Sequence, residues 1–185
     1  MIVFINGPFG GGKTTTAEAL VELLPGARLF DPEIVGYMLA ALMGDSGRSD
    51  FQDLPPWRPL VAATAAEVAA CTGQDLVAPM SVLDRGYFEE IGDGLRARGM
   101  AVHHVLLRTD PATLEERIAG HTLVPGDPGR SAAGAAFRRS RAAAFFEAAD
   151  GWLGTEADLV VDTTGVAPGE VARRVAEHLA GAVAT

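Results

Sequence analysis

The stretch of sequence with the clearest chemical pattern lies near the amino terminus, where residues 7–14 read GPFGGGKT. The spacing G-x-x-x-x-G-K-T is that of a phosphate-binding loop, in which backbone N–H groups surround phosphate oxygens and the lysine reaches the β- and γ-phosphates. Lys13 is the only lysine among the 15 lysine and arginine residues, and a planar guanidinium cannot replace a compact ammonium in a tight loop. We therefore predict an ATP site in which Lys13 contacts phosphate and the Thr14 hydroxyl binds Mg²⁺.

Two carboxylates follow the second predicted strand, in the segment Asp31-Pro32-Glu33. The carboxyl ends of strands in open α/β sheets are where ligands bind, so one of these acids is expected to face an acceptor hydroxyl. Asp31 is predicted to be the catalytic base, and Glu33 is a second candidate for direct contact with the substrate. In the alternative interpretation, Asp31 caps the following helix and Glu33 interacts with the helix dipole.

Two further pairs are candidates for binding the acceptor. Trp57 and Arg58 could stack on a base and hold an anionic group, or the tryptophan could simply pack beneath a loop. Asp84 and Arg85 follow the third predicted strand, beside the phosphate-binding loop, where they could contact substrate or phosphate. A surface ion pair between Asp84 and Arg85 is the alternative.

Arginines are concentrated around a turn-rich segment, residues 121–131, which we predict to be part of a lid spanning about residues 120–141. Such residues could neutralise the charge on a phosphoryl group in transfer. Arg141 is predicted to be catalytic, Arg138 to contact the substrate and Arg117 to contact the nucleotide. Arg130 and Arg139 are interpreted as solvated helix charges.

The hydrophobic pattern predicts strands alternating with helices, and therefore one α/β domain over residues 1–185, with a five-stranded parallel sheet covered by helices on both faces. The predicted strands are residues 2–5, 27–30, 76–80, 101–107 and 159–161. The predicted helices are residues 13–24, 33–43, 60–71, 88–98, 111–119, 135–149 and 169–179. Residues 44–50 are expected to form a loop, and residues 121–131 to be irregular.

Other classes of phosphate-loop protein fit the sequence poorly. Asn6 is the only asparagine, so the N-K-x-D motif of GTPases is absent, and residues 162–165 match D-x-x-G too near the carboxyl terminus for a switch region. The fourth strand ends in Leu107-Arg108-Thr109, without the acidic pair of motor and transport ATPases. Small nucleoside and metabolite kinases remain.

Composition limits the partners of this protein. The formal net charge of −9 disfavours nucleic acid and anionic membrane surfaces, so a polyanionic ligand requires a local positive patch. Cys71 is the only cysteine, and neither a secretory signal nor a membrane span is recognisable. We expect a cytoplasmic protein with a small-molecule substrate. The sequence leaves open whether it is a monomer or a homodimer.

Several segments together resemble the tunicamycin resistance protein family: INGPFGGGKTTTA, FDPEIVG, PPWRPL, VAPMSV and RTDPATLEERI. The resemblance extends over about residues 1–149 and implies the fold of a nucleoside kinase, with phosphorylation of a nucleoside-like antibiotic such as tunicamycin. It implies that the nucleotide contacts Gly7, Pro8, Phe9, Gly10, Gly11, Gly12, Lys13, Thr14 and Thr15. Arg141 matches a lid arginine, and Asp31 stands where the family more often has glutamate.

Two alternative functions remain open at the level of sequence. One is a metabolite kinase for a sugar or a small acid. The other is a protein that binds ATP as a switch without modifying a substrate. The Asp31 position and the lid segment from residue 124 to residue 130 differ from the family pattern, and both bear on the acceptor rather than on the nucleotide.

Overall fold

A computed structural model of the chain describes residues 1–44, 50–120 and 125–183, except for the side chain of residue 183. Five parallel strands form one sheet in the order β2-β3-β1-β4-β5. The strands are β1 (Ile2–Asn6), β2 (Ala27–Leu29), β3 (Asp75–Pro79), β4 (Val102–Arg108) and β5 (Leu159–Asp162). This confirms the predicted five-stranded parallel sheet.

Eight α-helices connect or follow these strands in the described part of the chain. They are α1 (Lys13–Leu23), α2 (Glu33–Met43), α3 (Trp57–Thr72), α4 (Arg85–Arg96), α5 (Pro111–Gly120), α6 (Pro128–Asp150), α7 (Trp152–Glu156) and α8 (Pro168–Val183). A short 3-10 helix at Phe51–Asp53 precedes α3.

Helices cover both faces of the sheet because successive side chains of a strand point in opposite directions. Ile2 and Phe4 of β1 pack with the buried side chains of α2, α3 and α4. Val3 and Ile5 pack with those of α1 and α8 on the other face. The predicted layers are therefore confirmed, and β1 lies at the centre of both cores.

The amino-terminal part of α6 differs from the prediction. We expected residues 121–131 to be irregular, but α6 begins at Pro128. Asp127 caps this helix by accepting a hydrogen bond from the Arg130 N–H at 2.9 Å, and proline at the first helical position is compatible with the helix. Residues 121–124 of the predicted lid and residues 45–49 of the predicted loop lie outside the described residues.

Among the residues that the structure describes, no helix is both long enough and apolar enough to cross a membrane.

Candidate active site

The phosphate-binding loop connects β1 to α1. Gly10 and Gly12 have positive φ angles of 84° and 88°, a backbone conformation that favours glycine. A Cβ atom on Gly11 would lie 2.7 Å from the Pro8 ring, so this position is also restricted to glycine. The loop is therefore a tight turn that leads directly into the amino terminus of α1, as anion binding requires.

Two side chains fasten this loop to the segment that follows β3. The buried amide of Asn6 donates to the Val82 carbonyl at 2.8 Å and accepts from the Gly7 N–H at 2.9 Å. The buried Ser81 hydroxyl donates to the Gly7 carbonyl at 2.7 Å. Asn6 and Ser81 were not predicted as site residues. Their positions at the ends of neighbouring strands were the signal that could have identified them.

Lys13 extends back over the loop. Its Nζ donates to the Pro8 carbonyl at 2.8 Å and lies 5.3 Å from the centre of the Phe9 ring. Burial lowers the pKa of Lys13 from 10.5 to about 7, against the opposing effect of the Glu33 carboxylate, while nearby Arg138 lowers it further. Glu33 is therefore too weak a counter-charge to keep the buried Lys13 amine fully protonated. An anionic ligand in the loop would supply the missing negative charge.

A cavity of about 790 Å³ opens above this lysine. Its walls come from the loop, α1, the start of α2, the end of β3, α5 and α6. The lining residues are Phe9, Gly10, Gly12, Lys13, Thr14, Thr15, Glu18, Glu33, Pro79, Met80, Ser81, Arg117, Gly120 and Arg138. Six of the nine predicted loop residues thus line the cavity, and the remaining three, Gly7, Pro8 and Gly11, shape the turn.

The two carboxylates after β2 have different positions. Glu33 lines the cavity, and its Oε2 accepts a hydrogen bond from the Tyr37 hydroxyl at 3.1 Å. Asp31 Oδ1 instead accepts from the Glu33 N–H at 2.9 Å, at the start of α2, and Asp31 is not among the residues that line the cavity. Asp31 therefore accepts a hydrogen bond from the first turn of α2, in line with the alternative interpretation, and Glu33 is the carboxylate of the two that lines the cavity.

The predicted lid arginines also separate. Arg138 lines the cavity, and partial burial lowers its pKa. Arg141 lies on the same helix but donates to Asp50 Oδ2 at 3.2 Å, outside the cavity lining. Arg139 forms a bidentate ion pair with Glu115 on the protein surface, in line with its interpretation as a surface helix charge. Of the two arginines on α6 that were predicted to act at the site, Arg138 lines the cavity and Arg141 does not.

Arg117 links the cavity to a smaller one of about 140 Å³. Its guanidinium donates to the Thr163 hydroxyl at 3.1 Å and to the Thr163 carbonyl at 2.7 Å. Thr163, Val166 and Pro168 line this smaller cavity together with Gly12 of the loop. The sequence motif at residues 162–165 was interpreted as a coincidence, but its position after β5 brings it to the same edge of the sheet as the phosphate-binding loop.

Trp57 and Arg58, predicted to bind the substrate, do not line the main cavity. Trp57 is fully buried in the core, where its Nε1 donates to the Pro32 carbonyl at 3.2 Å. Arg58 pairs with Glu90 at 2.5 Å and lies over the Tyr87 ring. Trp57 therefore supports the start of α2, and Arg58 ties α3 to α4.

Asp84 and Arg85, also predicted to bind the substrate, lie at the start of α4. Asp84 caps α4 by accepting from the Tyr87 N–H at 2.9 Å. Exposed Arg85 pairs with Glu89 at 3.0 Å and with Glu156 at 2.7 Å. Neither side chain lines the main cavity, and the two are not paired with each other.

Thr14 is exposed at the wall of the cavity, where its hydroxyl is available to a metal ion. Across residues 1–44, 50–120 and 125–183, no group of three histidine, cysteine or carboxylate side chains is arranged to hold a metal ion. Magnesium in proteins usually keeps several water ligands and binds substrate phosphates through few protein groups, a role that the Thr14 hydroxyl could serve.

Residues 2–144 match the profile of an AAA domain family. The solved structure of the tunicamycin resistance protein of Deinococcus radiodurans is 31% identical in sequence, with a TM-score of 0.71, and the alignment covers 96% of this chain and 94% of that one. The chain belongs to the tunicamycin resistance protein family.

Beyond the tunicamycin resistance protein family, the fold is shared with small-molecule kinases. A gluconokinase from Sinorhizobium meliloti is 19% identical with a TM-score of 0.62, over 96% of this chain and 90% of that one. The APS kinase of Mycobacterium tuberculosis is 18% identical with a TM-score of 0.64, over 96% of each chain. Among curated protein sequences, none matches this chain. These structures establish the fold, that of P-loop kinases.

Proposed function

We propose that the protein transfers the γ-phosphoryl group of ATP to a hydroxyl group of a nucleoside-like small molecule such as tunicamycin. The observation that carries this proposal is the single cavity in which Lys13, Glu33 and Arg138 meet beside the phosphate-binding loop. A cation at the loop, a carboxylate and an arginine that line one cavity are groups that serve phosphoryl transfer to an alcohol.

The donor side of the cavity fits a nucleoside triphosphate. The loop and Lys13 would hold the β- and γ-phosphates, and Thr14 would hold Mg²⁺, which when bound offsets phosphate charge. The smaller cavity between Arg117 and residues 163–168 joins the loop at Gly12, on the side of the loop towards which the nucleoside of a bound nucleotide could extend. The lowered pKa of Lys13 also suits this role, because phosphate oxygens would restore its positive charge.

Glu33 is our candidate for activating the acceptor. In the transfer step, the acceptor oxygen forms a bond to the γ-phosphorus while the bond from that phosphorus to the bridging oxygen of ADP breaks. The hydroxyl proton passes to the Glu33 carboxylate, and ADP leaves with the bond's electron pair. Arg138 lies on the other wall of the cavity, where its guanidinium would neutralise charge on the phosphoryl oxygens.

Incubation with Mg-ATP and a panel of acceptors, read by mass spectrometry, tests this proposal. Tunicamycin, uridine and other nucleosides would be compared with gluconate and simple sugars. We expect one added phosphoryl group on a nucleoside-like acceptor. Transfer only to a sugar or a small acid would identify a metabolite kinase, and ATP binding without transfer to any acceptor would favour a switch protein.

A matched pair of variants tests the assignment of the base. Glu33→Gln is expected to lower turnover by roughly a hundredfold or more, because it removes the proton acceptor and keeps the shape of the side chain. Asp31→Asn, two residues away, retains the ability to cap α2 and is expected to lower turnover by less than about tenfold. The opposite ranking would return the role of base to Asp31.

A further inference from the structure

Helix α2 carries the most exposed of the large apolar side chains in the described part of the chain. Ile34 and Tyr37 are each 62% exposed, Met38 is 44% exposed and Leu42 is 76% exposed. These residues fall within about 140° of one another around the helix, and this arc adjoins the buried side that holds Val35 and Leu39. The α2 face is the exposed surface formed by Ile34, Tyr37, Met38, Ala41 and Leu42.

The α2 face has the symmetry that self-association requires. Ile34, Met38 and Leu42 are spaced four residues apart, so Met38 lies midway between two branched apolar side chains about 12 Å apart. When two such helices pack antiparallel, Ile34 of each copy meets Leu42 of the other, and the two Met38 side chains meet at the twofold axis. This is the isologous arrangement of a symmetric dimer.

Charge also favours a second copy of the chain in this position. The whole protein carries a net charge of −9, but Glu33 is the only Asp, Glu, Lys or Arg in α2. An antiparallel arrangement places the two Glu33 side chains at opposite ends of the interface, so like charges stay apart. The Tyr37 hydroxyl already donates to Glu33, so covering its ring leaves no unpaired donor.

The area of the α2 face is sufficient for a weak dimer. The exposed parts of its side chains amount to on the order of 500 Å² per copy, so a pair buries about 1,000 Å², near the lower limit for a specific interface. A patch of this size is at the upper end of what monomers expose. An interface of this size is expected to dissociate at micromolar concentrations.

We propose that the protein forms a homodimer in which the α2 helices of two copies pack antiparallel about a twofold axis close to Met38. Because α2 begins at Glu33, this contact would hold in place the helix that carries the carboxylate of the main cavity. The interface is independent of nucleotide and acceptor, so its test does not depend on the proposed activity.

Sedimentation equilibrium over about 1 to 200 µM brackets the expected dissociation range. The wild type is expected to change from the mass of one chain to that of two across this series. Leu42→Glu should stay monomeric at every concentration. Leu23→Glu is the matched control, because Leu23 is 43% exposed on α1, on the opposite face of the sheet, and should behave like the wild type. Circular dichroism and thermal unfolding check that both variants are folded.

Crosslinking provides a second, geometric readout. Cys71 is the only cysteine, so a Cys71→Ser background gives a chain without thiols. Oxidation with diamide should link Met38→Cys in this background into a covalent dimer, since the two side chains meet at the axis. Leu23→Cys in the same background should stay uncrosslinked.

Several outcomes would overturn the proposal. A wild type that stays monomeric to about 200 µM would do so, since an interface of about 1,000 Å² should then be populated. A dimer that persists in Leu42→Glu would place the interface elsewhere. Binding of the monomer to phosphatidylcholine vesicles, lost in Leu42→Glu, would identify the α2 face as a membrane contact instead.

Discussion

The charge state of Lys13 gives the sharpest quantitative prediction. Burial lowers its pKa from 10.5 to about 7 in the free protein. Phosphate oxygens beside the ammonium group would favour the charged form and raise this pKa again. Nucleotide binding should therefore take up a proton whenever the solution pH lies above about 7 and below the pKa of the bound state.

The magnitude follows from the two pKa values. At pH 8 about nine-tenths of the free protein would hold a neutral Lys13, so binding should take up about 0.9 proton per nucleotide, against about 0.1 at pH 6. By the same linkage, ATP affinity should fall about tenfold between pH 6 and pH 8. The affinity must fall and not rise with pH, because a binding reaction that takes up a proton becomes less favourable as the proton concentration decreases.

Isothermal titration calorimetry with Mg-ATP in buffers of different ionisation enthalpy measures this uptake. Lys13→Met is the control, because its side chain does not titrate, so it should bind Mg-ATP more weakly and take up no proton at this position. Since Lys13 is the only lysine, ¹⁵N-lysine labelling also gives a single side-chain NMR signal whose titration can be followed directly. Glu33→Gln should lower the pKa further, because the Glu33 carboxylate supports the charged form.

Two results would refute this reasoning. One is a Lys13 signal that titrates near 10.5 in the free protein, which would mean that the ammonium group is well solvated. The other is an ATP affinity that changes no more between pH 6 and pH 8 in the wild type than in Lys13→Met.

Three further substitutions have predicted outcomes. Asp31→Ala should lower the free energy of unfolding by about 1 kcal/mol in urea denaturation, through loss of the α2 cap, and unchanged stability would argue against that cap. Trp57→Phe removes the hydrogen bond to the Pro32 carbonyl and should cost about 1 kcal/mol in stability, with kcat unchanged in a coupled ADP assay; a large loss of kcat in a folded variant would return this residue to the substrate site. Arg138→Met should lower kcat by about a hundredfold with little change in the Kd for ATP, whereas the same loss in Arg141→Met alone would contradict our choice of arginine.

The phosphate-binding loop was predictable because its determinants are local. Strand, glycine turn, lysine and helix follow one another within residues 2–23, and their order alone fixes their arrangement. The five-stranded sheet was predictable for a similar reason, since each apolar run lies between helical patterns. The order in which the strands lie side by side in the sheet could be read only from the structure.

The acceptor side was harder to predict because it depends on contacts between distant segments. Nothing near Trp57 in the sequence indicates that α3 buries this side chain and that its Nε1 donates to the Pro32 carbonyl. Arg138 and Arg141 are three residues apart, so helical periodicity assigns them to one face. The two differ in the structure because Arg141 donates to Asp50, which is 91 residues away in the sequence, whereas Arg138 lines the cavity.

The most direct test of the central claim uses ATP labelled with ¹⁸O in its γ-phosphoryl group, with wild type and Glu33→Gln compared on the acceptor that the panel identifies. We predict that the wild type places the labelled phosphoryl group on an acceptor hydroxyl and that Glu33→Gln does so much more slowly. Label that appears only in inorganic phosphate, at the same rate with and without acceptor, would contradict phosphoryl transfer in this cavity.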